Sequence, residues 1–338
     1  MGIKGLYKVI TENTSDCIQE KDIKYYRGKI IAIDASLLLY QFVIAIRKNG
    51  FDLVDDDGNP TSHLYAIFIK TMKFLEFGIK PVYVFDGKPP HLKNMVLKNR
   101  KRTREIAKKK LESLSSDSEN NEERIKHFKR TVEIKRNQIN ECKKLLDILK
   151  IPYIDSPGEA DAQCAVLAKS GKVWGVCTED MDILTFGSPR ILRNLSSSKN
   201  RKVIELDLER IQSSLGITYD QFIDLCILLG CDYCGTLNGV GQKRALSLIR
   251  EIGGLENVIE KIKKGESKYK IPHNFPYEET KKYFKNPKVI NPDEIEFVWG
   301  KIIKTEVIEF MCTKYGFNNS KINKKLRKYE YFYNKTFC

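Results

Sequence analysis

The chain has only four histidines, at positions 63, 91, 127 and 273, and none is paired at a metal-binding spacing. That argues against histidine-dependent nucleases and zinc hydrolases, which draw on imidazole ligands. Its nine cysteines are scattered and odd in number, so they read as reduced thiols of an intracellular protein, not as a disulfide framework. Cys231 and Cys234 form a C-x-x-C, but no second pair stands at zinc-finger spacing and the pair reads as incidental. No run approaches the roughly 18 uncharged apolar residues that span a bilayer. No signal peptide opens the chain, and the Met1-Gly2 start fails as a myristoylation motif because Leu6 stands where Ser or Thr is wanted. There are no internal repeats.

What is present is charge. Lys and Arg number 59 against 44 acids, a formal +15, while 41% hydrophobic residues leave ample material for a core. The excess suits a polyanionic partner; a merely solvated, Lys-rich surface is the plainer alternative. The 338 residues allow about two domains or one large one.

Against that basic background, carboxylates follow hydrophobic or Gly-flanked stretches. Asp34 ends KIIAID, Asp86 ends PVYVFD, and Asp180 and Asp182 follow VWGVCT. Glu159 and Asp161 sit in SPGEADA, and Asp232 in LLGCDY. KIIAI, PVYVF and VWGVC read as buried parallel strands. The crevice of an open α/β sheet lies at the carboxyl ends of its strands, so one fold can gather these acids. Gathered without counter-charge they would repel, and an oxygen-only ligand set points to Mg²⁺ or Mn²⁺. The pairs Glu159/Asp161 and Asp180/Asp182 share a side in extended or loop backbone. Any single Asp after a strand is more often a helix N-cap; seven in this order are not so readily explained.

The pattern predicts a helix over 35–47, then a turn (DDDGNP), with Ser62 as N-cap of a helix whose inner face is Leu64, Ile67, Phe68, Thr71 and Leu75. Gly78 closes it before PVYVF. From Lys93 to Lys110 there are nine basic residues and one acid, Glu105. The acidic, low-complexity ESLSSDSENNEE follows, and basic helical sequence resumes at Arg124. This reads as an insertion projecting from the sheet, with a disordered linker as the alternative. An α/β pattern returns near Cys142: a helix end, the short strand IPYI, a helix closed by Gly171, and VWGVCT. Residues 218–230 read as an apolar helix and 241–263 as two shorter ones.

Two basic elements stand near the acids. In GVGQKRA, Gly239 and Gly241 let backbone N–H groups approach a phosphate at a helix N-terminus, and Lys243 and Arg244 add charge. A turn glycine pair before any helix looks the same. Lys93 and Arg100 are seven apart, on one helical face just past Asp86, where cations could stabilise charge on a scissile phosphate. Ordinary solvated lysines and arginines would also fit that run.

Together these residues resemble the flap endonuclease branch of the XPG-type structure-specific 5′ nucleases. The match runs through MGIKGLYKVI, IAIDASLLLYQF, TSHLYAIF, GIKPVYVFDGKPPHLK, GEADAQCA, TEDMDILTFGSP, DLCILLGCDYC and GVGQKRAL, nearly the whole chain. The resemblance implies an α/β, PIN-like core with a mostly parallel sheet flanked by helices. Its parts would be an N-terminal nuclease region (1–107), a helical arch and cap (91–136), an internal nuclease region (137–256) containing a helix–two-turn–helix (219–252), and a C-terminal wrapping segment (257–338). It implies two Mg²⁺ ions, with Mn²⁺ able to substitute, held by Asp34, Asp86, Glu159, Asp161, Asp180, Asp182 and Asp232. Lys93 and Arg100 would contact the scissile phosphate, Tyr40 would stack on a base and Arg47 would contact DNA. Gly239 to Arg244 would grip the duplex, where the family also binds K⁺ through backbone carbonyls.

The expected activity is cleavage of 5′ flaps on branched DNA, with 5′–3′ exonuclease action at nicks and gaps, in replication and repair. The alternatives are mainly a 5′ exonuclease of the same family, or a DNA-binding recruiter without catalysis. The expected protein is a monomer without membrane contact, in the nucleus of a eukaryote or at a viral replication site. Three departures stand out. Asp161 takes the place of a common Glu, and Cys231 that of a Ser. A sliding clamp is a possible partner by the resemblance, but the tail KLRKYEYFYNKTFC lacks the spacing of the clamp-binding motif.

Overall fold

In the computed structural model the described residues are 2–14, 16–47, 51–114, 121–197 and 201–336. Seven strands occur among them: Ile18–Lys21 (β1), Ile30–Asp34 (β2), Lys80–Phe85 (β3), Tyr153–Asp155 (β4), Gly175–Cys177 (β5), Arg190–Arg193 (β6) and Val203–Asp207 (β7). The early helices are Leu6–Asn13 (α1), Ala35–Ile46 (α2), Ser62–Glu76 (α3), Asn94–Ser113 (α4), Asn121–Arg130 (α5) and Arg136–Ile148 (α6). Then come Ala160–Lys169 (α7), Asp182–Thr185 (α8), Leu208–Leu215 (α9), Tyr219–Leu229 (α10), Gln242–Ile252 (α11), Leu255–Lys263 (α12) and Tyr277–Lys285 (α13). Lys304–Ile308 (α14) and Asn319–Thr336 (α15) finish the chain.

The chain forms two compact units that interleave along the sequence. The first holds residues 1–23, 86–96 and 156–294; the second holds 24–85, 97–155 and 295–338. The stretch expected to wrap, 257–338, is thus divided at residue 294.

In the second unit β2, β3 and β4 pair in parallel, with Ile30 opposite Lys80 and Tyr83 opposite Tyr153. Continuous apolar sequence explains this: Ile31 to Ile33 and Val82 to Phe85 are fully or almost fully buried, as strands covered on both faces must be. The inner face of α3 is as expected, with Leu64, Ile67, Phe68, Thr71 and Leu75 all buried. Gly78, at φ 71°, turns the chain from α3 into β3. Ser62 is a correction. Thr61 takes the N-cap position, and Ser62 Oγ accepts a hydrogen bond from the Leu53 amide at 3.0 Å. The serine stitches the preceding loop instead of capping the helix.

In the first unit the strand order is β1-β7-β6-β5. β5 and β6 are parallel, while β7 returns antiparallel to β6 and β1 joins antiparallel at the edge. The sheet is therefore mixed here, because only a short connection separates β6 from β7 and leaves no room for a crossover helix. Asp207 caps α9 through the Arg210 amide at 3.1 Å, and Thr218 with Gln221 forms a capping box on α10.

The expected insertion is helical on both sides. On α4 only Ala107 is buried, as befits a charged helix outside a core. Most of the acidic stretch between α4 and α5 lies outside the described residues. No helix among the described residues is long and apolar enough to cross a membrane. The eight described cysteines are free thiols, Cys231 and Cys234 included.

Candidate active site

Six of the seven carboxylates singled out in the sequence, and Lys93, belong to the first unit. Asp86 is the residue after β3, and its Oδ1 accepts the Ala160 amide at 2.8 Å at the start of α7. An acid at this helix end meets unpaired N–H groups and the positive pole of the dipole. The adjoining loops are pinned: the Gly87 amide donates to the Gly158 carbonyl at 2.7 Å. A Cβ on Gly87 would come within 2.0 Å of the Ser156 carbonyl oxygen, so only glycine permits this approach.

Glu159 stands at the N-cap position of α7 yet makes no side-chain cap. Its carboxylate is drawn elsewhere. The Lys93 ammonium pairs with Oε1, and the Tyr233 and Tyr283 hydroxyls donate to Oε2 at 2.5 and 3.0 Å. Lys93 also reaches Asp232 at 3.5 Å. Burial opposes the charge on Lys93, but Glu159, then Asp232 and Asp161, more than offset it and hold the ammonium pKa above its ordinary value. Burial, followed by the Glu159 charge, pushes both tyrosines up, so their hydroxyls remain protonated donors.

The second acidic group follows β5. The Thr178 hydroxyl accepts the Asp180 amide at 3.0 Å, and Asp180 Oδ1 accepts the Asp182 amide at 3.1 Å. Asp182 is buried, and its Oδ1 has no hydrogen-bond partner. Burial, then the charges of Asp180 and Asp232, push its pKa well up; Lys93 and the Ile3 amide partly counteract them. The chain's start lies directly against this pair. Gly2 has φ 87°, and a Cβ there would fall 1.8 Å from Asp180 Oδ1. Asp232 follows Gly230, whose φ of 102° and carbonyl bond to the Lys4 amide at 3.2 Å fix the turn after α10.

Among the described residues no group of three or more acidic, histidine or cysteine side chains is arranged to hold a metal ion as it stands. Lys93 provides counter-charge between Glu159 and Asp232. The donors nevertheless fit a hard divalent ion. They are all carboxylate oxygens, and Asp182 Oδ1 is a buried acceptor with no donor, a costly state that a cation relieves.

Asp34, in the second unit, caps α2 by accepting the Leu37 amide at 2.9 Å. Tyr40 is half-buried on α2, and Arg100 is exposed on α4. Arg47 is engaged: it pairs with Asp52 at 2.8 Å and donates to the Phe128 carbonyl and the Thr131 hydroxyl at 3.0 and 2.9 Å. Its guanidinium also lies over the Phe128 ring. In the first unit Gly239 has φ 84°, whereas Gly241 is extended and caps α11 with open space where a Cβ would be. Lys243 is exposed, and Arg244 Nε donates to the Tyr269 hydroxyl at 2.9 Å.

Tyr233, Tyr283, Gly2 and Ile3 were not identified from the sequence. Tyr233 adjoins Asp232 and could have been suspected. Tyr283 meets Glu159 across 124 residues, and its Lys-rich helix gives no local hint.

Two family models match the chain, the XPG N-terminal domain over residues 1–107 and the XPG I-region over residues 150–232. Flap endonuclease 1 of Nematostella vectensis is 44% identical over 330 residues, covering 97% of this chain and 87% of that one. The Homo sapiens protein of the same name is 42% identical over 331 residues, covering 97% and 86%. The solved flap endonuclease-1 from Methanococcus jannaschii superposes with a TM-score of 0.72 at 33% identity, covering 94% of this chain and 97% of that one. The catalytic core of Rad2 in complex with DNA substrate gives 0.76 at 27% identity, covering 97% and 100%. With matches of this extent, the chain belongs to the XPG family of nucleases, in its flap endonuclease branch.

Proposed function

We propose that this protein is a divalent-metal-dependent 5′ flap endonuclease, cutting branched DNA near the single-strand/duplex junction, with 5′–3′ exonuclease action at nicks and gaps, in replication and repair. The observation that carries the reading is the acidic group built around buried Glu159 and Asp182 and half-buried Asp232, held together by the Lys93 ammonium. Asp86, Glu159, Asp161, Asp180, Asp182 and Asp232 would hold two Mg²⁺ ions, or Mn²⁺ in their place; Asp34 joins them on the family resemblance alone. Bound there, such ions make hydroxide available at neutral pH and stabilise the attacking and leaving oxygens of a phosphodiester.

The protein's own groups do the rest. Lys93 pairs with Glu159 and Asp232, and its protonated ammonium would stabilise charge on the scissile phosphate. Arg100 adds a second cation toward the same phosphate. Gly239, Gly241, Lys243 and Arg244 engage the duplex backbone at the start of α11, where K⁺ would also bind. Tyr40 stacks on a base. Arg47 serves DNA contact indirectly, by fixing the α5 end of the arch. Specificity then comes from backbone grip and threading through the arch, not from reading bases. The products would carry 5′-phosphate and 3′-hydroxyl ends. The protein would act as a monomer, in the nucleus or at a viral replication site.

The test is incubation with Mg²⁺ and labelled flap, nick, gap, single-strand and four-way substrates, with cut positions mapped. Asp180→Ala should abolish cleavage while flap binding largely survives. Arg100→Ala should slow cutting much more than it weakens binding. Binding without cutting by the unaltered protein would leave only a recruiter.

A further inference from the structure

The Glu159 carboxylate is held from three directions among the described residues: Lys93 on Oε1, and the hydroxyls of Tyr233 and Tyr283 on Oε2 at 2.5 and 3.0 Å. An ionised carboxylate offers about four lone-pair sites, two on each oxygen. The two phenols fill both on Oε2, and the ammonium fills one on Oε1. Only Oε1 retains a site for another ligand. Tyr283 is not free to swing away. Its ring meets Phe186 edge-on at 5.7 Å and Tyr233 at 5.1 Å. The next residue, Phe284, is buried against the same two rings at 5.1 and 5.2 Å. Helix α13 is therefore anchored by an aromatic cluster that delivers one hydroxyl to one carboxylate oxygen.

We propose that Tyr283 is a positioning residue for the metal site: with Tyr233 it locks Oε2 of Glu159, so that this carboxylate ligates a divalent ion through Oε1 alone. This rests on the proposed function, in that Glu159 is taken as a ligand. Fixing the carboxylate in advance spares the ordering of its side chain when the ion arrives, and outer partners of this kind are worth about 10–100-fold in metal affinity. Tyr283 lies in the part of the chain that the sequence assigns only to wrapping. The structure gives it a task in the chemistry of a residue on another helix.

Tyr283→Phe removes the hydroxyl and keeps the ring. In the full chain, titration calorimetry with Mg²⁺ or Ca²⁺ alone should show affinity reduced by about 10-fold. The Mg²⁺ concentration for half-maximal flap cleavage should rise in proportion, with the rate at saturating Mg²⁺ close to that of the unaltered protein. Melting temperature and flap binding in EDTA should not move. Tyr277→Phe, on the same helix with its hydroxyl on exposed Glu278, serves as control and should change none of these. Equal or tighter metal binding by Tyr283→Phe would overturn the proposal. So would a lowered melting temperature with flap binding lost to the same extent, which marks a packing role. If the unaltered chain takes up no divalent ion, both this inference and the proposed function fail. If it takes up ions in a Tyr283-dependent way but cuts no flap, only the proposed function fails.

Discussion

Glu159 sits where a helix wants a cap and does not provide one; Asp86 caps in its place. That exchange of roles frees one carboxylate for chemistry without leaving the N-terminus of α7 bare. Asp182 shows the opposite economy, a buried acid with an oxygen that nothing satisfies and two acidic neighbours. Asp182→Asn should therefore raise the melting temperature of the protein in EDTA, by about 2–4 °C for each kcal/mol of relieved repulsion, while abolishing cleavage. The gain has a definite pH dependence. The folded-state pKa of Asp182 is raised, so the folded chain binds a proton more readily than the unfolded one, and stability falls as pH climbs above the ordinary 3.8. The advantage of the Asn variant is then largest at neutral pH and vanishes as pH drops below about 4. Thermal melts across that range check it; an advantage that persists in acid would show that charge is not the cause.

At the scale of elements, the entry to α11 separates two glycines that look alike in the sequence. Gly239 needs a left-handed backbone and has Tyr269 packed 3.6 Å from where a Cβ would stand. Gly241 has an extended backbone and empty space around it. Gly239→Ala should destabilise the fold by about 1 kcal/mol. Gly241→Ser, with a competent N-cap side chain, should leave stability unchanged or slightly better. It should nonetheless weaken duplex binding, because the new side chain occupies the approach to the helix amides. Denaturant melts and binding to a blunt duplex distinguish the two. The same scale shows why Arg47 could not be understood from sequence alone: its partners Phe128 and Thr131 lie more than eighty residues away.

For the whole molecule, a formal +15 coexists with an acidic group in the first unit. Under the proposed function the two are complementary, since a basic exterior would attract the DNA backbone and the acids would hold the ions that act on it. Flap affinity should fall steeply with salt, with log K changing by about −0.9 per log unit for each duplex phosphate neutralised. Lys243→Ala should reduce that slope by about one contact while leaving the choice among flap sequences unchanged. A salt titration of binding checks both.

The sequence by itself determined the strands and the acids that follow them, because continuous apolar runs specify buried strands and polar residues beyond them mark strand ends. KIIAID, PVYVFD and VWGVCT became β2, β3 and β5, and the helices around Leu64, Ile223 and Leu248 fell where periodicity put them. The family motifs carried the fold and the activity. What the sequence left open depended on contacts between distant stretches: the antiparallel return of β7, the transfer of the α7 cap to Asp86, and the grip of Tyr283 on Glu159. Local propensity acts over a few residues, whereas a hydroxyl 124 positions from its carboxylate is brought there only by the packing of an aromatic cluster.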